Sequence, residues 1–70
     1  MDVSIIIVNY NSSNYTINCI NSIYKHTKNL VFEIVVVDNQ SKTEDLNTLE
    51  NHLNNAKFKL IKSYKNLGFG

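Results

Sequence analysis

Polar side chains that could bind a nucleotide follow two short apolar runs. Asn9, Tyr10 and Asn11 come directly after the first run, and Asp38 and Ser41 come after the second. A carboxylate in the position of Asp38 is where dinucleotide-binding folds hold ribose hydroxyls, although it could equally accept a hydrogen bond from a pyrimidine N–H or cap a helix. Tyr10 offers a flat ring on which a base or sugar could stack.

The spacing of other residues excludes several kinds of site. Residues 9–14 contain no glycine, so the pyrophosphate-binding loop of a dinucleotide fold is absent. The sequence shows neither a Cys/His set with metal-ligand spacing nor a Ser/His/Asp arrangement, and it contains no Asp-x-Asp. Glu44 and Asp45 are interpreted as first-turn acids of a helix, where they suit its dipole. Gly68 and Gly70 permit unusual backbone angles near the end of the chain, which is a weak signal.

The hydrophobic pattern predicts the elements that carry these residues. Nearly unbroken β-branched runs predict strands over 3–8 and 32–37, and alternation predicts a third over 57–63. Helical spacing predicts helices over 15–28 and 41–55, the second opened by a Ser41-Lys42-Thr43-Glu44 capping box. The order β-α-β-α-β predicts an α/β, Rossmann-like three-layer fold with a parallel sheet of strand order 3-2-1. The polar segments would then converge at the carboxyl ends of the strands.

Composition limits the remaining possibilities. Seventy residues make one small partial domain, and a hydrophobic fraction of 43% fits a globular chain. A net charge of +1 argues against nucleic acid as a partner. One cysteine, Cys19, cannot form an internal disulfide and is interpreted as a small core residue. The run 3–8 is too short to span a membrane and no signal peptide is visible, so a cytoplasmic location is expected. An exposed edge of the first strand would favour a homo-oligomer.

Four segments together resemble the opening of family 2 glycosyltransferases, and among these the bacterial rhamnosyltransferase-like members. They are VSIIIVNYN (3–11), CINS (19–22), EIVVVDNQS (33–41) and NLGFG (66–70). The resemblance implies a GT-A fold whose first half binds the nucleotide of a UDP- or dTDP-linked sugar for cell-surface polysaccharide synthesis. It also implies that the whole protein could lie peripherally at the inner face of the membrane.

The resemblance assigns nucleotide-binding roles to individual positions. Tyr10 matches a residue that packs against the base, and Asp38 matches the carboxylate that bonds the pyrimidine. The same comparison places Asn66 and Gly68 in the loop that approaches the ribose and phosphates. The residues that it places along the wall of the site are Asn9, Asn11 and Ser41.

The resemblance also implies what this chain lacks. The family's Asp-x-Asp, which holds Mg²⁺ or Mn²⁺ against the diphosphate, and its catalytic base normally lie further along than Gly70. No catalytic or metal-binding residue is therefore predicted here, and no inverting sugar transfer is expected from these 70 residues alone. Two alternatives stay open: a non-catalytic nucleotide-binding module, and a structural remnant that dimerises.

Overall fold

The computed structural model describes residues 3–53 and 55–63 of the chain, and within them the predicted β-α-β-α-β order is confirmed. The elements are listed here with their bounds: β1 (Val3–Asn9), α1 (Ser13–His26), β2 (Phe32–Asn39), α2 (Thr43–His52) and β3 (Lys59–Ser63). The first two strands thus extend further than the apolar runs. β1 therefore includes Asn9 and β2 includes Asp38, two polar residues that were predicted to line a site.

The three strands form one parallel sheet in the order β1-β2-β3, as predicted. The register pairs Ile5 with Ile34 and Ile7 with Val36, so the apolar side chains of neighbouring strands share one face. It also pairs Asn9 with Asp38, the last inward-facing residue of each strand. The two polar side chains are therefore neighbours because the strands are in register.

Both helices cover the same face of the sheet. Ile20 of α1 and Leu49 of α2 are fully buried against Ile34 and Val36 of β2, with Phe58 completing the core. Right-handed crossovers that advance in one direction across a sheet place their helices on one side of it. The described residues therefore supply one helical layer and the sheet.

The opposite face of the sheet is uncovered within the described part of the chain. Ile6 is 65% exposed, Ile61 is 52% exposed, and Val8 lies beside them at 41%. The sequence pattern of β1 predicted burial on both faces, and for Ile6 and Val8 that prediction is wrong. An unbroken β-branched run indicates that both faces can be buried, but no described element packs on the second one.

The alternation predicted for the third strand is confirmed. Leu60 packs against the core, while Lys59 and Ile61 are exposed on the other face. The Lys59 ammonium lies 3.0 Å from Glu33 Oε1, and Glu33 Oε2 accepts a hydrogen bond of 2.6 Å from the Ser4 hydroxyl. The Ser4 hydroxyl and then the Lys59 ammonium hold the pKa of Glu33 below its usual value.

The helix starts differ from the predictions. The predicted capping box at Ser41 does not form, because α2 begins at Thr43 and has no side-chain cap. The Ser41 hydroxyl instead accepts a hydrogen bond from the Asn11 backbone N–H across the carboxyl end of the sheet. Neither described helix is long and apolar enough to cross a membrane.

Candidate functional site

The two turns that leave β1 and β2 lie side by side at the end of the sheet where the strands finish, here called the carboxyl edge. Each turn contains one residue with a left-handed backbone, Asn11 at φ 49° and Gln40 at φ 59°. Asparagine tolerates this conformation better than most residues, whereas glutamine gains no such local advantage. The turns are held in these shapes by side-chain hydrogen bonds between them.

Asn9 is the centre of those hydrogen bonds and is completely buried. Its Nδ2 group lies 2.9 Å from Asp38 Oδ1 and 3.0 Å from Asp45 Oδ2, and 3.2 Å from the Ser41 hydroxyl. One neutral amide thus donates to two carboxylates that belong to different elements. We call the group formed by Asn9, Asp38, Ser41 and Asp45 the Asn9 network.

The oxygen of the Asn9 amide faces hydroxyl groups. Asn9 Oδ1 accepts a hydrogen bond of 2.6 Å from Thr16 Oγ1 and a longer one of 3.3 Å from Ser12 Oγ. The carboxylates on one side and the hydroxyls on the other fix the orientation of the Asn9 amide, because only its nitrogen can donate to carboxylates. Ser12 makes no side-chain cap on α1, and its hydroxyl donates to Asn9.

Asp38 lies inside this network, only 2% exposed. Oδ1 accepts from Asn9, and Oδ2 accepts from the Ser41 backbone N–H at 3.1 Å. Both oxygens therefore hold the two turns in place. The predicted contact of Asp38 with a pyrimidine stays a prediction, and each of its oxygens already has one partner inside the chain.

Asp45 caps a helix other than its own. It lies in the first turn of α2, but its Oδ1 accepts a hydrogen bond of 2.9 Å from the Ser13 backbone N–H at the start of α1. Burial alone raises the pKa of the Asp45 carboxyl, but hydrogen bonds from Asn9, Ser13 and Ser41 outweigh it and leave the pKa below the usual 3.8. The sequence assigned Asp45 only to the dipole of α2, and no local pattern indicates a partner 32 residues away.

In a second pair of hydrogen bonds, a backbone N–H of each turn donates to a side chain of the other turn. The Asn11 N–H donates to Ser41 Oγ at 2.8 Å, and the Lys42 N–H donates to Asn11 Oδ1, also at 2.8 Å. Asn11 therefore contacts the second turn through both its backbone and its side chain. The structure thus brings four predicted site residues together, Asn9, Asn11, Asp38 and Ser41.

Tyr10 lies between Asn9 and Asn11 and is 62% exposed. Its neighbours on both sides are held by the second turn, so the backbone that carries the ring is fixed while the ring meets water. An open cleft of about 390 Å³ lies at the same edge, with Asn11, Lys42 and Asp45 in its wall. The edge therefore combines an accessible aromatic ring with polar groups that line a concave surface.

Asn39, which sequence reasoning passed over, ends β2 beside Asp38. Its Oδ1 is buried and has no hydrogen-bond partner among the described residues. A buried amide oxygen without a partner carries a desolvation penalty. The predicted site residues Asn66 and Gly68 lie outside the described residues.

The acidic residues of this edge do not fit a metal site. Asp38 and Asp45 both accept hydrogen bonds from the buried Asn9 amide. A metal ion that displaced this amide would leave its N–H groups without hydrogen-bond partners. Across residues 3–53 and 55–63, no group of three or more His, Cys, Asp or Glu side chains could hold a metal ion. The ligands of the Mg²⁺ or Mn²⁺ implied by the family resemblance were expected beyond Gly70, and that expectation stays a prediction.

Comparison with known proteins identifies the family. No curated protein and no solved structure matches the chain. The family model described as glycosyl transferase family 2 matches residues 4–70. Because this match extends over nearly all of its length, and the parallel α/β fold agrees with it, the chain belongs to glycosyl transferase family 2.

Proposed function

We propose that this chain is the nucleotide-binding portion of an inverting glycosyltransferase, and that its carboxyl edge binds the base and ribose of a UDP- or dTDP-linked sugar. Family membership supports the reaction class. The observation that carries the binding site is Tyr10, a ring 62% exposed in a turn whose two flanking residues are both fixed by the second turn.

Tyr10 acts as the stacking surface in this proposal. A base that stacks on an aromatic side chain gains about 1–3 kcal/mol, provided that the ring is accessible and need not be ordered first. The hydrogen bonds of Asn9 and Asn11 supply that order before the ligand arrives. The affinity for a free nucleotide should therefore depend strongly on the ring and weakly on its hydroxyl.

Asp38 and Asn9 act through the turns. Their side chains are buried, so in this proposal they position Tyr10 and Asn11 and do not themselves meet the ligand. A direct bond from Asp38 to the pyrimidine, as the family resemblance implies, would require its carboxylate to become accessible. The two roles differ in their effect on folding, which makes them separable by experiment.

Sugar transfer itself needs groups that we place outside these residues. Inverting transfer requires a base that takes the proton of the acceptor hydroxyl as it attacks the anomeric carbon, and a cation that stabilises the leaving diphosphate. The Asp38 and Asp45 carboxylates at this edge already accept hydrogen bonds from Asn9, and Asp45 also accepts one from Ser13. We therefore expect the 70 residues to bind nucleotide without turning over the sugar donor.

The test is an NMR titration of the chain with UDP, dTDP and GDP. Tyr10→Ala should weaken binding of the pyrimidine nucleotides by roughly 5- to 150-fold, the equivalent of about 1–3 kcal/mol. Tyr10→Phe is the matched control and should bind like the parent chain, because it keeps the ring. Equal binding by the parent and Tyr10→Ala would refute the stacking role.

Asp38→Asn separates the two roles of that carboxylate. If Asp38 positions the turns, the variant should lose both stability in urea unfolding and nucleotide affinity. If Asp38 bonds the base directly, affinity should fall while the urea midpoint stays close to that of the parent. A donor-hydrolysis assay with UDP-sugar and Mn²⁺ checks the expected absence of turnover, and measurable sugar release would contradict it.

The uncovered sheet face favours a second role in assembly. Ile6 and Ile61 present apolar surface to water on the face that no described helix covers, and β1 is an edge strand. Such a face and edge favour association with another chain. We propose that the isolated chain forms a homo-oligomer through this surface.

A further inference from the structure

The end of the sheet at which the strands begin, here called the amino edge, carries an exposed apolar patch. Leu30 and Val31, adjacent in the loop between α1 and β2, are 44% and 62% exposed, and Tyr24 is 36% exposed. Together with Phe32 and Phe58 they line a cavity of about 360 Å³. A contiguous patch of this kind marks an interaction surface, unlike single exposed apolar residues.

Lysines lie on the segments that carry this patch, and one acidic residue, Glu33, also lines the cavity. Lys25 is in the last turn of α1, Lys28 follows in the loop, and Lys57 lines the cavity. None of the three forms a salt bridge to another described residue. Lys59, by contrast, is neutralised by Glu33 at 3.0 Å.

The charge at the other end of the molecule has the opposite sign. The carboxyl edge carries three acidic residues, Asp38, Glu44 and Asp45. The turn and helix start that hold them also contain one lysine, Lys42. The described chain therefore has a basic, apolar end and an acidic, polar end. A charged surface would orient it, with the amino edge toward negative charge.

We propose that the amino edge docks on an anionic phospholipid bilayer, with Leu30 and Val31 entering the boundary between headgroups and acyl chains. The lysines stand on three separate segments, the last turn of α1, the loop after it and the residue before Phe58, so they match an extended negative surface better than one acidic side chain. Apolar insertion combined with lysine–headgroup attraction is the usual basis of peripheral membrane binding.

This orientation places the carboxyl edge away from the bilayer. A strand of eight residues spans roughly 26 Å at about 3.3 Å per residue, so the turns with Tyr10 would face the aqueous phase. The inference does not depend on nucleotide binding, and either can fail while the other holds.

The test is co-sedimentation of the 70-residue chain with phosphatidylcholine vesicles, with and without phosphatidylserine. We expect binding only to the anionic vesicles, weakening as salt is raised. Lys28→Gln with Lys57→Gln should reduce the partition coefficient about 25-fold, or about fivefold for each lysine. Leu30→Ser with Val31→Ser should abolish binding, and Lys42→Gln at the opposite edge is the matched control that should bind normally.

Several results would overturn the proposal. One is the absence of binding to anionic vesicles at low salt by a chain whose circular dichroism shows that it is folded. Another is an equal loss in Lys42→Gln and in the Lys28 and Lys57 variant, which would mean attraction without a defined surface. Binding of monomeric dihexanoyl-phosphatidylserine without vesicle binding would make the cavity a ligand site instead. Self-association that Leu30→Ser with Val31→Ser abolishes, without vesicle binding, would assign the edge to a second copy.

Discussion

Replacing Asn9 by aspartate exchanges the amide nitrogen, which donates to the carboxylates of Asp38 and Asp45, for an oxygen. In the parent chain Asn9 Nδ2 donates to Asp38 at 2.9 Å and to Asp45 at 3.0 Å. A third carboxylate in that position could donate to neither and would be repelled by both. The introduced carboxyl is therefore expected to take up a proton in the folded chain, which means that its pKa is raised.

The expected loss of stability has two parts. Holding a carboxyl of ordinary pKa protonated at pH 7 costs about 4 kcal/mol, at about 1.4 kcal/mol per pH unit. One proton satisfies only one of the two carboxylates, and losing the other charged hydrogen bond adds about 1.5–3 kcal/mol. Asn9→Asp should thus be destabilised by about 6 kcal/mol at pH 7 and by about 3–4 kcal/mol at pH 5.

The direction of the pH effect is the critical part. Because the introduced carboxyl has a higher pKa in the folded than in the unfolded chain, its penalty shrinks as the pH falls and grows as the pH rises. The parent is a clean reference between pH 5 and 7, since the pKa of Asp45 is lowered from 3.8 and its contribution changes only below that range.

Urea unfolding followed by far-UV circular dichroism at pH 5, 6 and 7 measures this effect. Asn9→Leu is the control, because it removes the same donor without adding a titratable group, so its deficit should change less with pH than that of Asn9→Asp. A 70-residue chain has a stability of about 4–10 kcal/mol, so pH 5 is the condition at which both variants are most accessible. Deficits of Asn9→Asp that stay the same at all three pH values would refute the arrangement of the Asn9 network.

Three further predictions test other features. Asp45→Asn should lose less stability than the parent between pH 5 and pH 3. A carboxylate with a lowered pKa stabilises the fold above its unfolded pKa of 3.8 and loses that contribution as the pH falls. Urea midpoints that fall as steeply as the parent's would contradict this. Gln40→Gly should be more stable than Gln40→Ala by about 1 kcal/mol in thermal unfolding, because both remove the side chain but only glycine adopts φ 59° without strain, and equal midpoints would disprove the strain. Ile6→Lys should reduce concentration-dependent association in analytical ultracentrifugation, whereas Lys59→Gln on the same face should not, and unchanged association of Ile6→Lys would exclude that face as the contact.

The course of the chain was predictable because its signals are local. Two unbroken apolar runs and one alternating run predicted the three strands, and the helices between them predicted their parallel order. The meeting of Asn9 with Asp38 followed from this, since residues that end neighbouring parallel strands must lie together. The resemblance to glycosyl transferase family 2 agreed with the family match.

The use of the polar side chains was not predictable, because their partners are distant in sequence. Ser41 has the sequence context of a helix cap, yet its hydroxyl accepts from Asn11, 30 residues earlier. Asp45 looks like a first-turn acid of α2, yet it caps α1. Asp38 ends an apolar strand as a ligand-binding carboxylate would, yet the Asn9 and Ser41 N–H groups occupy it. Local patterns indicate what a group can do, and tertiary contacts decide which partner it has.

The Asp45 cap on α1 has a consequence for the order of folding. Ser12 makes no side-chain cap on α1, and the Ser13 N–H at the start of this helix donates to a carboxylate of α2. Contacts that close loops of more than 30 residues form late, after the entropy of closing them has been offset by other contacts. The core can therefore collapse around Ile34 and Val36 while the carboxyl edge is still unformed. Mutations in the Asn9 network should then speed unfolding without slowing folding, so that the edge proposed to bind nucleotide is the last part of the molecule to form and the first to open.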